Sequence, residues 1–325
     1  LFDDLELQQP TESCGGTGRR SYDTFDQRKG VCRRFMAERI HPAGGIIVKV
    51  EFTKMHGAGN DFVLLDGVSR SLNITESTIR HLADRHRGIG CDQVLLVTPP
   101  DDPEADFRYT IFNADGSRAG QCGNGARCVG RFLREKRLTR KRELALLTDG
   151  EPLHLSLHED GRIFAGLAAP QLAPEKIPFT ADQARHQYRI EVQGQALSIG
   201  AVSMGNPHAV LVVDDAQRAP VQILGPLLES HERFPARANV SFMQILSRSE
   251  IQLRVYERGV GETQACGSGA CAAVVHGRHA GLLSSEVSVH LPGGELSVAW
   301  KGGQERVWLG GPTSTVFEGT IHMNN

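Results

Sequence analysis

Two short stretches decide the fold of this 325-residue chain: Cys122-Gly123-Asn124-Gly125-Ala126 and Cys266-Gly267-Ser268-Gly269-Ala270. Both follow the pattern Cys-Gly-x-Gly-Ala, and each is followed by apolar or small residues at the spacing of one helix face. We therefore predict that each stretch is a glycine-rich turn leading into a buried helix that begins at its cysteine.

The repeat extends upstream of both cysteines. Asn113 and Glu257 each stand nine positions before the cysteine of their own copy, at the end of an apolar run. Further upstream, Gly59-Asn60-Asp61 has a counterpart in Gly205-Asn206-Pro207. We interpret the chain as two similar halves, each with a buried central helix.

The remaining pattern is mostly that of strands. Apolar and polar residues alternate over 153–157 and 251–255, and a meander of three strands is predicted from 287 to 309. One further short helix is predicted over 75–87, and the proline-containing stretch 168–179 resembles a connector. Many strands around one long helix per half predict an α+β fold rather than a doubly wound one.

These patterns predict a domain layout. Residues 50–166 form an N-terminal domain and residues 167–311 a C-terminal domain, with 312–325 as a candidate to return to the first. Residues 1–49 have few periodic apolar residues, and we expect a disordered leader translated from upstream of a true start at Val50. The competing interpretation is a regulatory or targeting extension.

Composition excludes several classes of protein. The net charge is −2, no apolar run approaches the ~20 residues of a membrane span, and no basic stripe indicates nucleic-acid binding. Seven cysteines, an odd number, argue against a disulfide framework. We expect a cytoplasmic protein without a metal or other cofactor that acts on a small molecule.

The two repeated cysteines are the leading candidates for chemistry. A thiol at a helix N-terminus can have its pKa lowered from ~8.5 toward neutrality, and two such thiols could act as a matched acid and base. The alternative is that each is a small buried apolar residue. Neither Cys128 nor Cys271 stands at the spacing of a zinc ligand pair, so a metal site is not expected.

Other residues fit the recognition of an amino acid. The glycine turns would let backbone N–H groups bind a carboxylate, and no P-loop lysine follows to indicate a phosphate instead. The adjacent Glu257 and Arg258 suit an ammonium and a carboxylate, unless they form a solvated surface pair. Asparagines at strand–loop junctions are either turn residues or ligand contacts: Asn60, Asn113, Asn206 and Asn239.

From residue 50 onward the chain resembles the diaminopimelate epimerases. The resemblance is carried by HGAGNDF (56–62), GIGCDQ (88–93), FNADGS (112–117), QCGNGARC (121–128), MGNPHA (204–209), ANV (238–240), ERG (257–259) and ACGSGACAA (265–273). It implies two pseudo-symmetric domains, each a β-barrel-like, mostly antiparallel sheet around a central helix. It also implies a homodimer that interconverts LL- and meso-2,6-diaminopimelate without pyridoxal phosphate, on the route to lysine and peptidoglycan.

The resemblance also implies roles for individual residues. Cys122 and Cys266 would act on opposite faces of the α-carbon, one as thiolate base and one as thiol acid. His208 and Glu257 would support them. Those implied to bind substrate are Gly123, Asn124, Gly267 and Ser268 at the reacting carboxylate, and Asn60, Asn113, Asn206, Asn239 and Arg258 at the distal end, with Gln93 nearby.

Two rival functions stay open at this point. A proline racemase or hydroxyproline epimerase of the same fold would share the two cysteines, but proline lacks the second polar end that Glu257-Arg258 and the asparagines suit. A redox-responsive protein could instead bind diamino acids without turning them over.

Overall fold

The computed structural model describes residues 22–26, 31–35, 39–40, 46–120, 122–150 and 152–324. Residues Glu51–Gly319 form one compact unit, which contains both halves of the repeat. Leu1–Val50 and Thr320–Asn325 form the other unit, and most of the predicted leader 1–49 lies outside the described residues. The predicted domain boundaries stay a prediction.

In the part of the chain that the structure describes, three short strands precede β4, which leads into the first half. Strands β1 and β2 pair antiparallel, and β3 pairs with the start of β4. Their bounds are β1 Tyr22–Asp26, β2 Val31–Phe35, β3 Arg39–Ile40 and β4 Ile46–Gly57.

The first half, residues 51–167, continues from β4 with seven strands and two helices. Its elements are β5 Asn60–Asp66, α1 Glu76–Ala83, β6 Gln93–Thr98, β7 Phe107–Asn113, β8 Arg118–Ala119, α2 Gly123–Glu135, β9 Glu143–Leu147, β10 Leu153–Leu157 and β11 Ile163–Leu167.

The second half, residues 188–310, follows a connector that contains a single 3₁₀ turn. Its elements are β12 Tyr188–Val192, β13 Gln195–Ser203, β14 Pro207–Val212, α3 Val221–Glu229, β15 Asn239–Ser247, β16 Glu250–Glu257, β17 Gly261–Thr263, α4 Gly267–His279, β18 Glu286–Leu291, β19 Gly294–Ala299 and β20 Val307–Gly310. The last strand, β21, covers Ser314–Asn324.

The two halves repeat the same topology, which confirms the predicted pseudo-symmetric α+β fold. In the first half β5 pairs parallel with β6, β6 antiparallel with β7, and β7 parallel with β9. In the second half β14, β15, β16 and β18 pair in the same order and the same directions. Strands β11 and β20, which are equivalent in the repeat, pair antiparallel and join the halves.

The helices α2 and α4 occupy the centre of their halves, as the apolar spacing predicts. Ala126, Val129 and Leu133 of α2 have no exposed surface, and α4 is buried along nearly its whole length. Gly130 lets α2 approach the sheet closely, because a Cβ there would lie 3.1 Å from the side chains of β10 and β11. Each half therefore packs its strands against the helix that begins at its cysteine.

The structure departs from the sequence prediction at two helices. α1 ends at Ala83 rather than at 87, because the Asp84 carboxylate accepts hydrogen bonds from the N–H groups of His86 and Arg87 and forms a turn. α3, Val221–Glu229, was not predicted. Among the described residues, no helix has the length and apolarity needed to span a membrane.

Candidate active site

A cavity of about 1760 Å³ opens between the two halves, inside the unit Glu51–Gly319. The ends of β5, β6, β7 and β16 and the N-termini of α2 and α4 contribute to its wall. Twelve predicted site residues line it: Asn60, Gln93, Asn113, Cys122, Gly123, Asn124, Asn206, Glu257, Arg258, Cys266, Gly267 and Ser268. His208 and Asn239 are not among its lining residues.

Cys122 and Cys266 occupy matching positions on the two central helices. Each is the N-cap residue of its helix, in extended backbone conformation. Each Sγ accepts a hydrogen bond at 3.4 Å from the N–H group three residues later, on Gly125 or Gly269. The positive ends of two helix dipoles thus point at the two sulfurs in the same way.

The two helix N-termini lie close together. A Cβ on Gly123 would be 2.9 Å from Cδ2 of Leu309, and a Cβ on Gly267 would be 2.8 Å from the same atom. The Gly267 position also lies 3.4 Å from Oδ1 of Asn124, on the opposite helix. Glycine is required at both positions because the two turns converge on a single leucine side chain.

Burial dominates the ionisation of both thiols. Burial raises the pKa of Cys122, although the N–H of Gly125 and the positive charge of Arg127 lower it by favouring the thiolate. It raises the pKa of Cys266 well above its ordinary value, and the nearby Glu257 carboxylate raises it further. The helix N-terminus alone therefore does not supply a thiolate at neutral pH, in contrast to the expectation from sequence.

Glu257 ends β16 at the cavity wall, and its charge raises the pKa of both cysteines. Its Oε1 accepts a hydrogen bond of 2.5 Å from the hydroxyl of Thr263, which lies on the neighbouring strand β17. The sequence analysis missed Thr263, although its register opposite Val255 follows from the tight turn 257–261. Thr263 fixes the direction of the carboxylate at the cavity wall.

His208 and Asn239 form hydrogen bonds with residues that line the cavity. His208 is fully buried, and its Nε2 donates to Oδ1 of Asn206 at 3.0 Å, since an amide oxygen can only accept. Burial, with a contribution from Arg258, lowers the pKa of His208 to about 3, so the ring is neutral near pH 7. Asn239 Oδ1 accepts from the backbone N–H of Arg258 at 2.9 Å.

Hydrogen bonds also orient the amides of the first half. The Asn60 amide donates to Asp92 at 2.7 Å, which turns its Oδ1 toward the Cys122 sulfur, 3.8 Å away. Gln93 Nε2 donates to Asn113 Oδ1 at 3.0 Å across the β6–β7 ladder. The register that places Gln93 opposite Asn113 accounts for the second of these hydrogen bonds.

A charged cluster behind Asn60 was not predicted. Asp61 accepts hydrogen bonds from Lys54 at 2.6 Å and from Arg85 at 2.8 and 3.0 Å, and Arg85 also bonds Asp92. Partial burial opposes ionisation, but the bonds from Arg85 and Lys54 hold the pKa of Asp61 well below its ordinary value. Asp61 and Asp92 belong to the sequence motifs that carry the family resemblance. Their basic partners Lys54 and Arg85 lie outside those motifs, and no nearby sequence pattern indicates the contact.

Comparison with known proteins identifies the family. The family described as "Diaminopimelate epimerase" matches residues 52–169 and 200–315, well over half of the chain. Three solved structures share its fold at low identity. One is a hydroxyproline epimerase from Agrobacterium vitis with bound trans-4-OH-L-proline, which is 16% identical, covers 85% of this chain and 93% of its own, and has a TM-score of 0.60. The second is a methylitaconate-delta-isomerase, which is 13% identical, covers 85% of this chain and 96% of its own, and has a TM-score of 0.62. The third is a Bacillus anthracis phenazine biosynthesis protein of the PhzF family, which is 16% identical, covers 84% of this chain and 99% of its own, and has a TM-score of 0.58.

Proposed function

The chain belongs to the diaminopimelate epimerase family, and we propose that it interconverts LL- and meso-2,6-diaminopimelate without a cofactor, on the route to lysine and peptidoglycan precursors. Membership of this family makes it an isomerase of the epimerase type. The observation that carries the proposal is the pair of N-cap cysteines, one from each half, on the wall of one cavity.

The two thiols would perform a two-base inversion. One sulfur, as thiolate, takes the proton from the α-carbon, and the electron pair left behind delocalises into the carboxylate. The other sulfur, as thiol, delivers its proton to the opposite face of the same carbon. The roles exchange in the reverse direction, so the enzyme ends each turnover with one thiolate and one thiol.

The converging helix N-termini suit the carboxylate that gains charge. The N–H groups of the turns at Gly123-Asn124 and Gly267-Ser268 are fixed in position before the reaction by the helices that follow them. Donors held in place in this way stabilise the transition state more than the ground state. Glu257 lines the same cavity as both sulfurs, where the ammonium group of a bound amino acid would neutralise its charge.

The rest of the cavity supports a substrate with a second polar end. Arg258, Asn60, Asn113 and Asn206 line the same wall, and a guanidinium with several amides can bind another carboxylate and ammonium. Proline has no second carboxylate or ammonium group to pair with these side chains. This chemistry favours diaminopimelate over proline as the substrate.

The experiment is solvent exchange at the α-carbon. In D₂O, the purified protein should convert LL-diaminopimelate to the meso form with one deuterium at the inverted carbon, read by mass spectrometry and NMR. L-Proline and trans-4-hydroxy-L-proline should give no exchange. Exchange with either of these and not with LL-diaminopimelate would contradict the proposed substrate, and binding without exchange would contradict the enzymatic function.

Single cysteine variants test the two-base step in the same assay. Cys122→Ala and Cys266→Ala should each abolish epimerisation under reducing conditions. The matched control is Cys91→Ala, because Cys91 is another buried thiol on the cavity wall whose pKa burial raises to about 11. Full turnover by either of the first two variants would refute the two-base mechanism.

Two further parts of the proposal rest on the family. We propose that the protein works as a homodimer, which sedimentation velocity would test. We also propose the cytoplasm as its compartment, which agrees with the free thiols of Cys91, Cys122, Cys128, Cys266 and Cys271.

A further inference from the structure

The pseudo-symmetry of the site allows its two sulfurs to be compared directly. Cys122 and Cys266 have the same capping geometry, the same 3.4 Å hydrogen bond from a backbone N–H, and helices of the same length, 13 residues. These contributions stabilise both thiolates alike and cancel in the comparison. A preference for one thiolate then depends on the burial of each sulfur and on the side chains that differ between equivalent positions.

The largest such difference lies five residues after each cysteine. Arg127 occupies this position in α2, and Cys271 occupies it in α4. Arg127 has no exposed surface, and its guanidinium lies against the backbone of the neighbouring segments. A Cβ on Gly311 would be 2.9 Å from its Nη1, and one on Gly57 would be 3.6 Å from its Nη2.

Arg127 is a buried cation with little compensation. Its Nη2 donates to Asn124 Oδ1 at 2.8 Å, while its Nε and Nη1 have no hydrogen-bond partner among the described residues. The titratable groups that act on it are three thiols, those of Cys128, Cys122 and Cys271. Burial lowers the pKa of Arg127, but a guanidinium stays protonated in proteins, so the charge persists.

A second difference, which involves a negative rather than a positive charge, lies nine residues before each cysteine. Glu257 stands in the second half where the first half has the uncharged Asn113. The Glu257 carboxylate raises the pKa of both thiols, and it is the largest cause after burial at Cys266 but the smallest of those at Cys122. The Ser268 hydroxyl, 3.5 Å from the Cys266 sulfur, favours that thiolate but carries no net charge.

We propose that Arg127 is a positioning residue whose buried charge, opposed across the site by Glu257, makes Cys122 the sulfur that ionises first and therefore the thiolate of the resting pair. The inference rests on the proposed function, because it assigns the roles of the two cysteines before substrate binds.

Arg127 also orients the side chain of Asn124. Its guanidinium donates a hydrogen bond to the Asn124 oxygen, which leaves the amide N–H₂ of Asn124 as the group that can donate to a carboxylate.

The energetic argument favours a functional reason for this charge. A buried guanidinium without an anionic partner costs free energy of folding, because its interactions with water are lost. That cost is recovered in part whenever a nearby thiol ionises, since the thiolate then supplies the missing negative charge. Three thiols act on Arg127, those of Cys128, Cys122 and Cys271. Burial raises the pKa of Cys128 and of Cys271 to about 12, and neither is among the cavity-lining residues, whereas Cys122 is. Ionisation of Cys122 is therefore the step that compensates the charge of Arg127 at the site.

The test is site-resolved alkylation of the substrate-free protein. Iodoacetamide labelling, quenched at intervals and read by peptide mass spectrometry, gives a rate for each cysteine from pH 5 to 10. The inflection of each curve, rather than the rate itself, is compared, because the two sulfurs differ in exposure. In the wild-type protein the inflection for Cys122 should lie at lower pH than that for Cys266, and the reverse order would overturn the proposal.

Variants of Arg127 make the test specific. Arg127→Met should raise the Cys122 inflection by about one pH unit, the lower end of the effect of a nearby charge, and should move the acid limb of the epimerase pH profile the same way. Arg127→Lys should restore part of the shift. The control is Arg131→Gln, one turn later on α2, where the guanidinium bonds Glu135 and Thr313 instead. An unchanged Cys122 inflection in folded Arg127→Met would refute the role of Arg127.

A complementary variant covers the case in which Arg127→Met does not fold. Glu257→Gln should lower the Cys266 inflection more than that of Cys122 and so narrow their separation; a constant separation would contradict the proposal. These readouts need no turnover. A protein with the predicted order of ionisation but no exchange into LL-diaminopimelate would overturn the proposed function alone.

Discussion

At the scale of single residues, the site is built from polar groups that act through one another. Glu257 is directed by Thr263, Asn206 by His208, and Asn60 by Asp92. Thr263 and Asp92 lie on different segments from the residues they orient, whereas His208 follows Asn206 by two residues. The residues that touch the cavity therefore depend on a second set of residues for their direction.

Thr263 provides the first prediction at this scale. Thr263→Val removes the hydroxyl that donates to Glu257 but keeps the shape of the side chain. A hydrogen bond to a charged group contributes about 1.5–3 kcal/mol, so we expect kcat to fall by roughly tenfold or more. The control is Thr315→Val, which removes an equivalent hydroxyl–carboxylate bond to Glu135 at an exposed position. Equal kcat values for the two variants would show that Thr263 does not direct Glu257.

His208 provides the second prediction. Because burial lowers its pKa to about 3, its ring should remain neutral, with the proton on Nε2, from pH 5 to 8. Two-dimensional ¹H–¹⁵N NMR of the imidazole distinguishes this tautomer from the charged ring. His208→Gln, which keeps a donor toward Asn206, should retain more activity than His208→Leu. An imidazole signal that titrates near pH 6.5 would contradict this description.

At the scale of elements, the close approach of two helix N-termini is what makes a shared site. Gly267→Ala would place a methyl group 2.8 Å from Leu309 Cδ2, so the turn or the leucine must shift. We expect a loss of about 1–3 kcal/mol in unfolding free energy, and a drop in kcat of at least tenfold. Leu309→Ala in the same chain should recover part of kcat by removing the clashing atom. If the effects of Gly267→Ala and Leu309→Ala on log kcat simply add in the double variant, the two side chains do not clash directly.

Some elements could be predicted from the sequence because their signals are local. The helices at Cys122 and Cys266, the β10–β11 hairpin and the β18–β20 meander each show a pattern within one continuous window. The parallel pairing of β5 with β6 could not be predicted in this way, because it joins Phe62 to Gln93 across a helix. α3 was missed because its proline and glycine weaken the helical signal.

The site residues that could be predicted are likewise those with a local sequence signal. Residues inside the repeated motifs were found, since two copies of one pattern reinforce each other. Lys54 and Arg85 were missed because they reach Asp61 from separate segments, and nothing near them in sequence indicates that contact. Arg127 was inside a quoted motif, yet its importance depends on full burial, which the sequence does not show.

At the scale of the whole molecule, the charged cluster at Asp61 contributes to stability against acid. The folded-state pKa of Asp61 lies below the unfolded value of about 3.9. Its ionised form therefore stabilises the folded protein above that pH, and this contribution is lost as the pH falls toward the folded-state pKa. His208 acts in the same direction, since its pKa rises from about 3 to about 6.5 on unfolding, so acid favours the unfolded chain below about pH 6.5.

Urea unfolding of Asp61→Asn at several pH values tests this linkage. At pH 7 the variant should unfold at a lower urea concentration than the wild-type protein, because it cannot accept charged hydrogen bonds from Lys54 and Arg85. The difference should narrow as the pH falls below about 4, because the Asp61 carboxylate of the unfolded wild-type chain then takes up a proton while that of the folded protein stays ionised. Asp160→Asn, at an exposed turn, should match the wild type at every pH. A difference for Asp61→Asn that stays constant between pH 7 and pH 3 would mean that the cluster contributes by packing and not by charge.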